Sequence, residues 1–209
     1  MKILITAGPT REYIDPVRFI TNRSSGKMGY ALAEAAVKRG WETILVTGPV
    51  NLPVPDGATV VRIESAAEMA AAVKHNAPDC DAVVMAAAVA DYRPVEVSEH
   101  KLKKQPGGLT LRLERTEDIL ASLGEMKRPG QVLVGFAAET DDLLANARKK
   151  LESKNLDWIA ANRVCDGFAS DTDKVTLLGR NGEVAELPLA PKTEVAAKIL
   201  EIIFGRRPE

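Results

Sequence analysis

The chain has 209 residues, enough for one sizeable core or one domain with an appendage. Its 28 Lys and Arg stand against 29 Asp and Glu, a net charge of −1, so the overall balance suits neither a general nucleic-acid binder nor a membrane-surface protein, and any anion site must be built locally. Hydrophobic residues at 45 % exclude a disordered chain.

In chain order, Lys2 to Ala7 reads as an apolar strand that opens the sequence directly, with no leader-like segment before it. A long polar loop follows, ending in Ser24-Ser-Gly-Lys-Met-Gly29, and then an amphipathic helix from about Gly26 to Arg39, stopped at Gly40. Trp41 to Thr47 is a second strand, 48–57 a proline-rich surface loop, and Thr59 to Ile63 a third strand. Ser65 and Glu68 make a capping box for a helix reaching about Asn76. Asp81 to Ala86 is a buried strand. The rhythm breaks over 89–113, a polar and basic stretch ending in an alternating strand, Leu109 to Leu113. A helix capped by Thr116 and ending at Leu123, a core strand from Gln131 to Phe136 and a helix from about Thr140 to Lys154 come next. Leu156 to Ala161 is the last parallel strand; Val175–Leu178 and Val184–Leu187 form a hairpin, and a helix over Lys192 to Phe204 closes the chain. Repeated βα units predict one α/β domain over residues 1–209, a three-layer, mostly parallel sheet with a small hairpin and flap extension, the flap at about 92–114. Cys80 and Cys165 lack metal or redox spacing and are expected to be reduced and structural, in keeping with a cytoplasmic protein.

The loop after the first strand lies where such sheets bind ligands. Its serine hydroxyls, free amides and Lys27 converge on a helix N-terminus, a place suited to phosphate; an ordinary serine-capped helix is the plain alternative. Ala7-Gly8-Pro9-Thr10 does not supply the tight dinucleotide turn, and Met28 stands where a Walker loop has its metal-binding hydroxyl. Asn22 cannot titrate, but can donate two hydrogen bonds to a carboxylate or an acyl intermediate. Arg18 suits bidentate pairing with carboxylate or phosphate. Ala86 to Ala90 are small enough for a ligand to approach the backbone, and Asp91 is placed to hold Mg²⁺ or a polar ligand. Lys101 to Lys104, with Gly107 and Gly108 beyond, reads as a mobile flap over polyphosphate or as a solvated basic turn. Lys150 and Lys154 share a helix face, Phe136 can pack on a base or sugar, and Glu139 is expected to start the following helix.

Six motifs in order resemble phosphopantothenoylcysteine synthetase in its bacterial form: Ile5–Glu12, Asp15–Asn22, Ser24–Gly29, Ala87–Arg93, Lys101–Lys104 and Gly135–Thr140. The resemblance covers essentially the whole chain and implies a Rossmann-like fold. It implies a ligase of coenzyme A biosynthesis in which CTP activates 4′-phosphopantothenate as an acyl-cytidylate and L-cysteine then gives the amide. By the same resemblance, Asn22 binds the acyl-cytidylate, and Arg18, Ala87 and Ala88 bind the acid. Lys101 serves activation. The nucleotide is implied to meet Gly8, Ser24, Ser25, Gly26, Asp91, Asp118, Ile119, Leu120, Ala121, Phe136, Lys150 and Lys154. Mg²⁺ is expected on the triphosphate with Asp91 as its protein ligand, and a homodimer with sites completed across subunits. A flavin-dependent decarboxylase domain is an expected fusion partner. Arg115-Thr-Glu117 departs from the Asn-Pro that the family often carries before Asp118. From residue chemistry alone, a nicotinamide-dependent oxidoreductase and a non-catalytic nucleotide-binding module remain alternatives.

Overall fold

The computed structural model describes residues 1–104, 106–163 and 170–205, so Cys165 lies outside the described residues. Twelve strands and five α-helices are described: β1 (Lys2–Ala7), β2 (Arg11–Tyr13), β3 (Phe19–Thr21), α1 (Lys27–Lys38), β4 (Glu42–Thr47), β5 (Ala58–Arg62), α2 (Ala66–Asn76), β6 (Ala82–Met85), β7 (Tyr92–Pro94), β8 (Leu113–Arg115), α3 (Ile119–Met126), β9 (Val132–Glu139), α4 (Leu143–Ser153), β10 (Trp158–Arg163), β11 (Thr172–Gly179), β12 (Val184–Pro191) and α5 (Lys192–Phe204).

Eight strands form one sheet in the order β12-β11-β10-β9-β6-β1-β4-β5. The six from β5 to β10 are parallel, and β11 and β12 add antiparallel at one edge. Numbering the parallel strands by chain order gives 3-2-1-4-5-6, the order of dinucleotide-binding folds, with its crossover point between β1 and β6. The alternation of a strand splits the core. Ile3 and Ile5 of β1 face one cluster with Leu32 of α1 and Ile199 of α5, while Leu4 faces the other with Met69 of α2, Leu123 of α3 and Leu151 of α4. The parallel strands are apolar on both faces because both faces are covered.

Several boundaries differ from the sequence expectation. The long first loop carries its own hairpin, β2–β3. The strand expected over Leu109 to Leu113 is instead Leu113–Arg115, paired with Tyr92–Pro94; one further bond runs from Val95 N–H to the Arg112 carbonyl, and Leu109 and Leu111 before it are exposed. Thr116 does not cap α3. Its hydroxyl donates to the Ala90 carbonyl at 2.6 Å, and Asp118 caps the helix by accepting from Ala121 N–H. The late hairpin is not an appendage but the edge of the main sheet. Ser65 caps α2 as expected, but Glu68 reaches past it to the Glu64 N–H at 2.7 Å. Among the described residues, no helix is long and apolar enough to cross a membrane.

Candidate functional site

Beyond the carboxyl ends of β1, β6 and β9 lie two cavities. The α1 cavity, about 370 Å³, is lined by Asn22, Ser24 to Gly29, Ala86 to Val89, Phe136, Ala138, Asn162, Asp173 and Lys192. The α3 cavity, about 530 Å³, is lined by residues including Asp91, Asp118, Ile119, Leu120, Phe136 and Lys154. Ala87, Val89 and Phe136 line both. Phe136, half-buried in the middle of β9, is therefore a shared wall and not a lone exposed ring.

The α1 end is built by glycine. Gly26 caps the helix in the left-handed region, at φ 76°. No serine side chain caps α1; Ser24 Oγ instead accepts from Gly26 N–H at 3.3 Å. The first amides of α1 have no acceptor within the helix and point at the cavity end. A Cβ on Gly29 would stand 2.5 Å from Ala7 Cβ, so only glycine lets α1 seat directly on β1.

Backbone and threonine contacts lock the Ala86–Ala90 segment. Thr6 and Thr10 hydroxyls accept from the Ala87 and Ala90 N–H groups, and Ala88 N–H donates to the Gly8 carbonyl at 2.9 Å. Asn22 Nδ2 donates to the carbonyls of Ala88 and Val89, each at 3.1 Å. Because both partners are acceptors, the side-chain amide orientation is settled, and its two N–H groups are engaged within the chain. In this arrangement Oδ1 is the side-chain atom of Asn22 left for a ligand, and the donor role expected from the sequence would require the amide to exchange partners.

Arg18 is brought elsewhere. Its guanidinium pairs with Asp15 at 2.7 Å and donates to the Leu102 carbonyl at 2.5 Å. Asp15 is fully buried and also accepts from the N–H groups of Val17, Arg18 and Leu102. Burial pushes its carboxyl up, but these donors and the Arg18 guanidinium outweigh that and hold it at about 2. Asp15 therefore ties the β2–β3 hairpin to the basic segment, a role no motif in the sequence announced. Lys101 sits exposed on that segment and lines neither cavity.

The lysines of α4 are paired. Lys150 binds Glu139 at 2.6 Å, and Asn146 donates to the same carboxylate at 3.3 Å. Glu139 thus ends β9 and braces α4, whereas the sequence placed it at the start of that helix. Lys154 binds Asp118 at 2.8 Å in the α3 cavity. Burial raises the Asp118 carboxyl, and the Lys154 ammonium and Ala121 N–H more than offset it, leaving it below the ordinary carboxylate range. Lys150 itself lines neither cavity. Among the described residues, no group of three or more His, Cys, Asp or Glu could hold a metal. Asp91, exposed in the α3 cavity, would be a single protein ligand, which fits a Mg²⁺ carried in on a triphosphate and not a resident ion.

The chain's Rossmann-like order does not bring a dinucleotide site with it. The end of β4 offers Thr47-Gly48-Pro49, with no acid for a ribose, and a Cβ on Gly48 would meet the Pro9 carbonyl at 1.8 Å. The start of the inserted loop thus packs directly on the end of β4.

The family model for the DNA/pantothenate metabolism flavoprotein C-terminal domain matches residues 1–206. The chain is 54 % identical over 205 residues to the coenzyme A biosynthesis bifunctional protein CoaBC of Bacillus subtilis, covering 96 % of this chain and 50 % of that protein. It is 47 % identical over 207 residues to a cysteine/cysteine sulfinic acid decarboxylase of an unknown prokaryotic organism, covering 97 % and 58 %. It thus spans half the length of the first of these curated relatives and 58 % of the second. The crystal structure of the C-terminal domain of a CoaBC protein superposes with a TM-score of 0.83 at 51 % identity, covering 97 % of this chain and 93 % of that one.

Proposed function

The chain belongs to the family of DNA/pantothenate metabolism flavoprotein C-terminal domains, and from that premise we propose that it is the phosphopantothenate–cysteine ligase unit of coenzyme A biosynthesis, using CTP. The observation that carries the reading is the wall shared by the two cavities: Ala87, Val89 and Phe136 bound both, so an acid and a nucleotide in adjoining spaces meet there. The name of the Bacillus subtilis relative supports the pathway.

In this reading the base and ribose of CTP occupy the α3 cavity against Phe136, Asp118, Ile119, Leu120 and Lys154, with Ala121 beside them. The triphosphate crosses to Gly8, Ser24, Ser25, Gly26 and the free amides of α1. The acid lies along Asn22, Ala87 and Ala88. Its carboxylate oxygen bonds to the α-phosphorus, the α–β phosphoanhydride breaks, and pyrophosphate leaves with the electron pair. The cysteine amine then attacks the acyl carbon, CMP leaves, and the amine proton is lost. No side-chain nucleophile is needed; preorganised amides and cations supply the stabilisation, and positioning supplies much of the rest. Mg²⁺ arriving with the triphosphate would lower its charge, with Asp91 as the protein ligand. Asn22 offers the intermediate an acceptor, suited to an N–H or O–H of the acyl group or to the entering amine.

Arg18 and Lys101 stand outside both cavities of a single chain, so their part in acid binding and activation calls for a second copy. Val17, Phe19, Tyr92, Val97, Leu109, Leu111 and Leu113 are exposed on the inserted hairpin and the flap, an apolar surface suited to a homodimer. A flavin-dependent decarboxylase domain is the proposed fusion partner, and the cytosol the proposed compartment.

The test is pyrophosphate release by purified protein with Mg²⁺, 4′-phosphopantothenate and L-cysteine, comparing CTP with ATP and omitting each component in turn. Release that requires the phosphorylated acid and prefers CTP is expected. Folded protein that releases none with either nucleotide overturns the reading, and preference for ATP overturns its nucleotide.

A further inference from the structure

At the far end of the α1 cavity sits a polar cluster that the reaction above leaves unused: Asn162 on β10, Asp173 on β11 and Lys192 at the start of α5. Asp173 and Lys192 are only 3 % and 7 % exposed. The Asn162 amide donates to both Asp173 oxygens, at 3.0 and 3.1 Å, and Lys192 Nζ donates to the Ser170 carbonyl at 2.7 Å. Lysine is rarely buried this deeply unless it is paired. Burial lowers its proton affinity; Asp173 works against that, and the nearby Lys27 ammonium adds to it.

Two cations thus approach one cavity end, since Lys27 lines it too. Two helices begin there as well. Lys27 opens α1 and pairs with the Asp171 carboxylate, and Lys192 opens α5 with its N–H donating to the Asp171 carbonyl. The charges of Lys27 and Lys192 balance those of Asp171 and Asp173. Glu194 in the first turn of α5 offsets the terminus of that helix, while the first amides of α1 add partial positive charge at this cavity end. That is a site for an anion, and the anion the proposed reaction brings to the α1 N-terminus is a phosphate chain.

We propose that Lys192 is a phosphate-binding residue of the activation half-reaction, holding the β- and γ-phosphates of the nucleotide as they depart as pyrophosphate. This rests on the ligase reading above. As the acid's oxygen bonds to the α-phosphorus and the α–β bond breaks, negative charge grows on the leaving pyrophosphate, and a fixed ammonium in a mostly buried position opposes it without a proton transfer. A lysine that merely balanced Asp173 would not distinguish the nucleotide's phosphates from its base.

Inorganic pyrophosphate, CTP and CMP serve as separate calorimetric probes of the full chain, with pyrophosphate release assayed alongside. Lys192→Gln is expected to weaken pyrophosphate and CTP by about ten- to a hundred-fold, the scale of one charge-assisted hydrogen bond, and to leave CMP unchanged because it lacks both phosphates. Lys192→Arg should recover most of the loss. Asp173→Asn removes a negative charge beside the anion and should tighten pyrophosphate. Unchanged pyrophosphate affinity in folded Lys192→Gln, or equal losses for CMP and CTP, overturns the proposal. Where Lys192→Gln does not fold, Asp173→Asn decides, and unchanged or weaker pyrophosphate binding counts against it. No pyrophosphate release by the wild-type chain would instead bring down the ligase reading, and this inference with it.

Discussion

Gly8 and Gly26 pack back to back although the inserted hairpin separates them in sequence. A Cβ on Gly26 would stand 3.3 Å from both Gly8 Cα and Gly8 N, and the two have φ of +76° and +75°. Gly29 then gives α1 its close seat on β1. Between them these three turn the chain and let helix meet strand, two of the tasks that glycines perform in a dinucleotide fingerprint. Residues 9–25 stand between the first two of these glycines, so the linear motif is absent although the close packing is kept.

Gly26→Ala should cost more than its backbone conformation alone. Left-handed φ costs a non-glycine residue roughly 1–2 kcal/mol, and crowding against Val50 Cγ1 at 3.0 Å and the Gly8 backbone at 3.3 Å adds to that. Gly40→Ala is the internal control, because Gly40 has φ +75° and nothing within 4 Å of its would-be Cβ. Urea unfolding of the two variants should place Gly26→Ala clearly below Gly40→Ala. Equal losses would mean that the contacts with Val50 and Gly8 contribute nothing.

Asn22→Asp places a carboxylate oxygen where an amide now donates to Ala88 and Val89 carbonyls. Oxygen against oxygen repels, so the side chain must swing out and release the Ala88–Val89 segment. Activation should persist while the intermediate turns over slowly, by at least about tenfold, the size of one lost hydrogen bond. Rapid-quench analysis should find acyl-cytidylate accumulating. Amide synthesis at the normal steady-state rate would rule out this role for Asn22.

Phe136→Ala removes the wall common to both cavities. Loss of base or ribose packing should raise the KM for CTP by roughly tenfold or more, in line with an aromatic contact of about 1 kcal/mol together with lost burial. Phosphopantothenate affinity should fall less. Steady-state kinetics with each substrate varied in turn would check the order of the two effects, and a KM for CTP that did not move would remove Phe136 from the nucleotide site.

Asp15 makes the link between hairpin and basic segment acid-sensitive. Its folded value of about 2 lies below the ordinary 3.8, so the ionised carboxylate stabilises the folded link above the ordinary value, and that contribution is lost as pH falls from 3.8 through about 2. Hydrogen exchange at the Leu102 amide, which donates to Asp15 at 3.2 Å, should accelerate across that window. Asp15→Asn should speed the exchange at neutral pH and flatten its acid dependence. Exchange that ignores both pH and the substitution would show that the link is held by other contacts.

Much of the fold was legible because the cues are local. Apolar runs such as Leu4–Ile5 and Val83–Val84, the Ser65 cap and the Gly40 stop each act within one element, and the Lys192–Phe204 helix fell where its periodicity put it. The misses share a cause. Leu109 to Leu113 alternates like a strand, but alternation supplies no partner; Leu113 finds one opposite Pro94 and the Arg112 carbonyl accepts from Val95 N–H, while Leu109 and Leu111 stay exposed. Thr116 and Asp118 are both plausible caps, and the choice was made by the Ala90 carbonyl, far away in sequence.

The sequence by itself determined the α/β class, the phosphate-suited α1 terminus and the six ordered motifs, because each depends on residue types a few positions apart. Only the tertiary structure decided which of them meet. It joined Gly8 to Gly26, set Phe136 between two cavities, drew Arg18 away to Asp15, left Lys101 outside both cavities and brought Asp173 and Lys192 to the far end of the site. Those outcomes depend on strand order and on hydrogen bonds between distant segments, and no spacing along the chain encodes them.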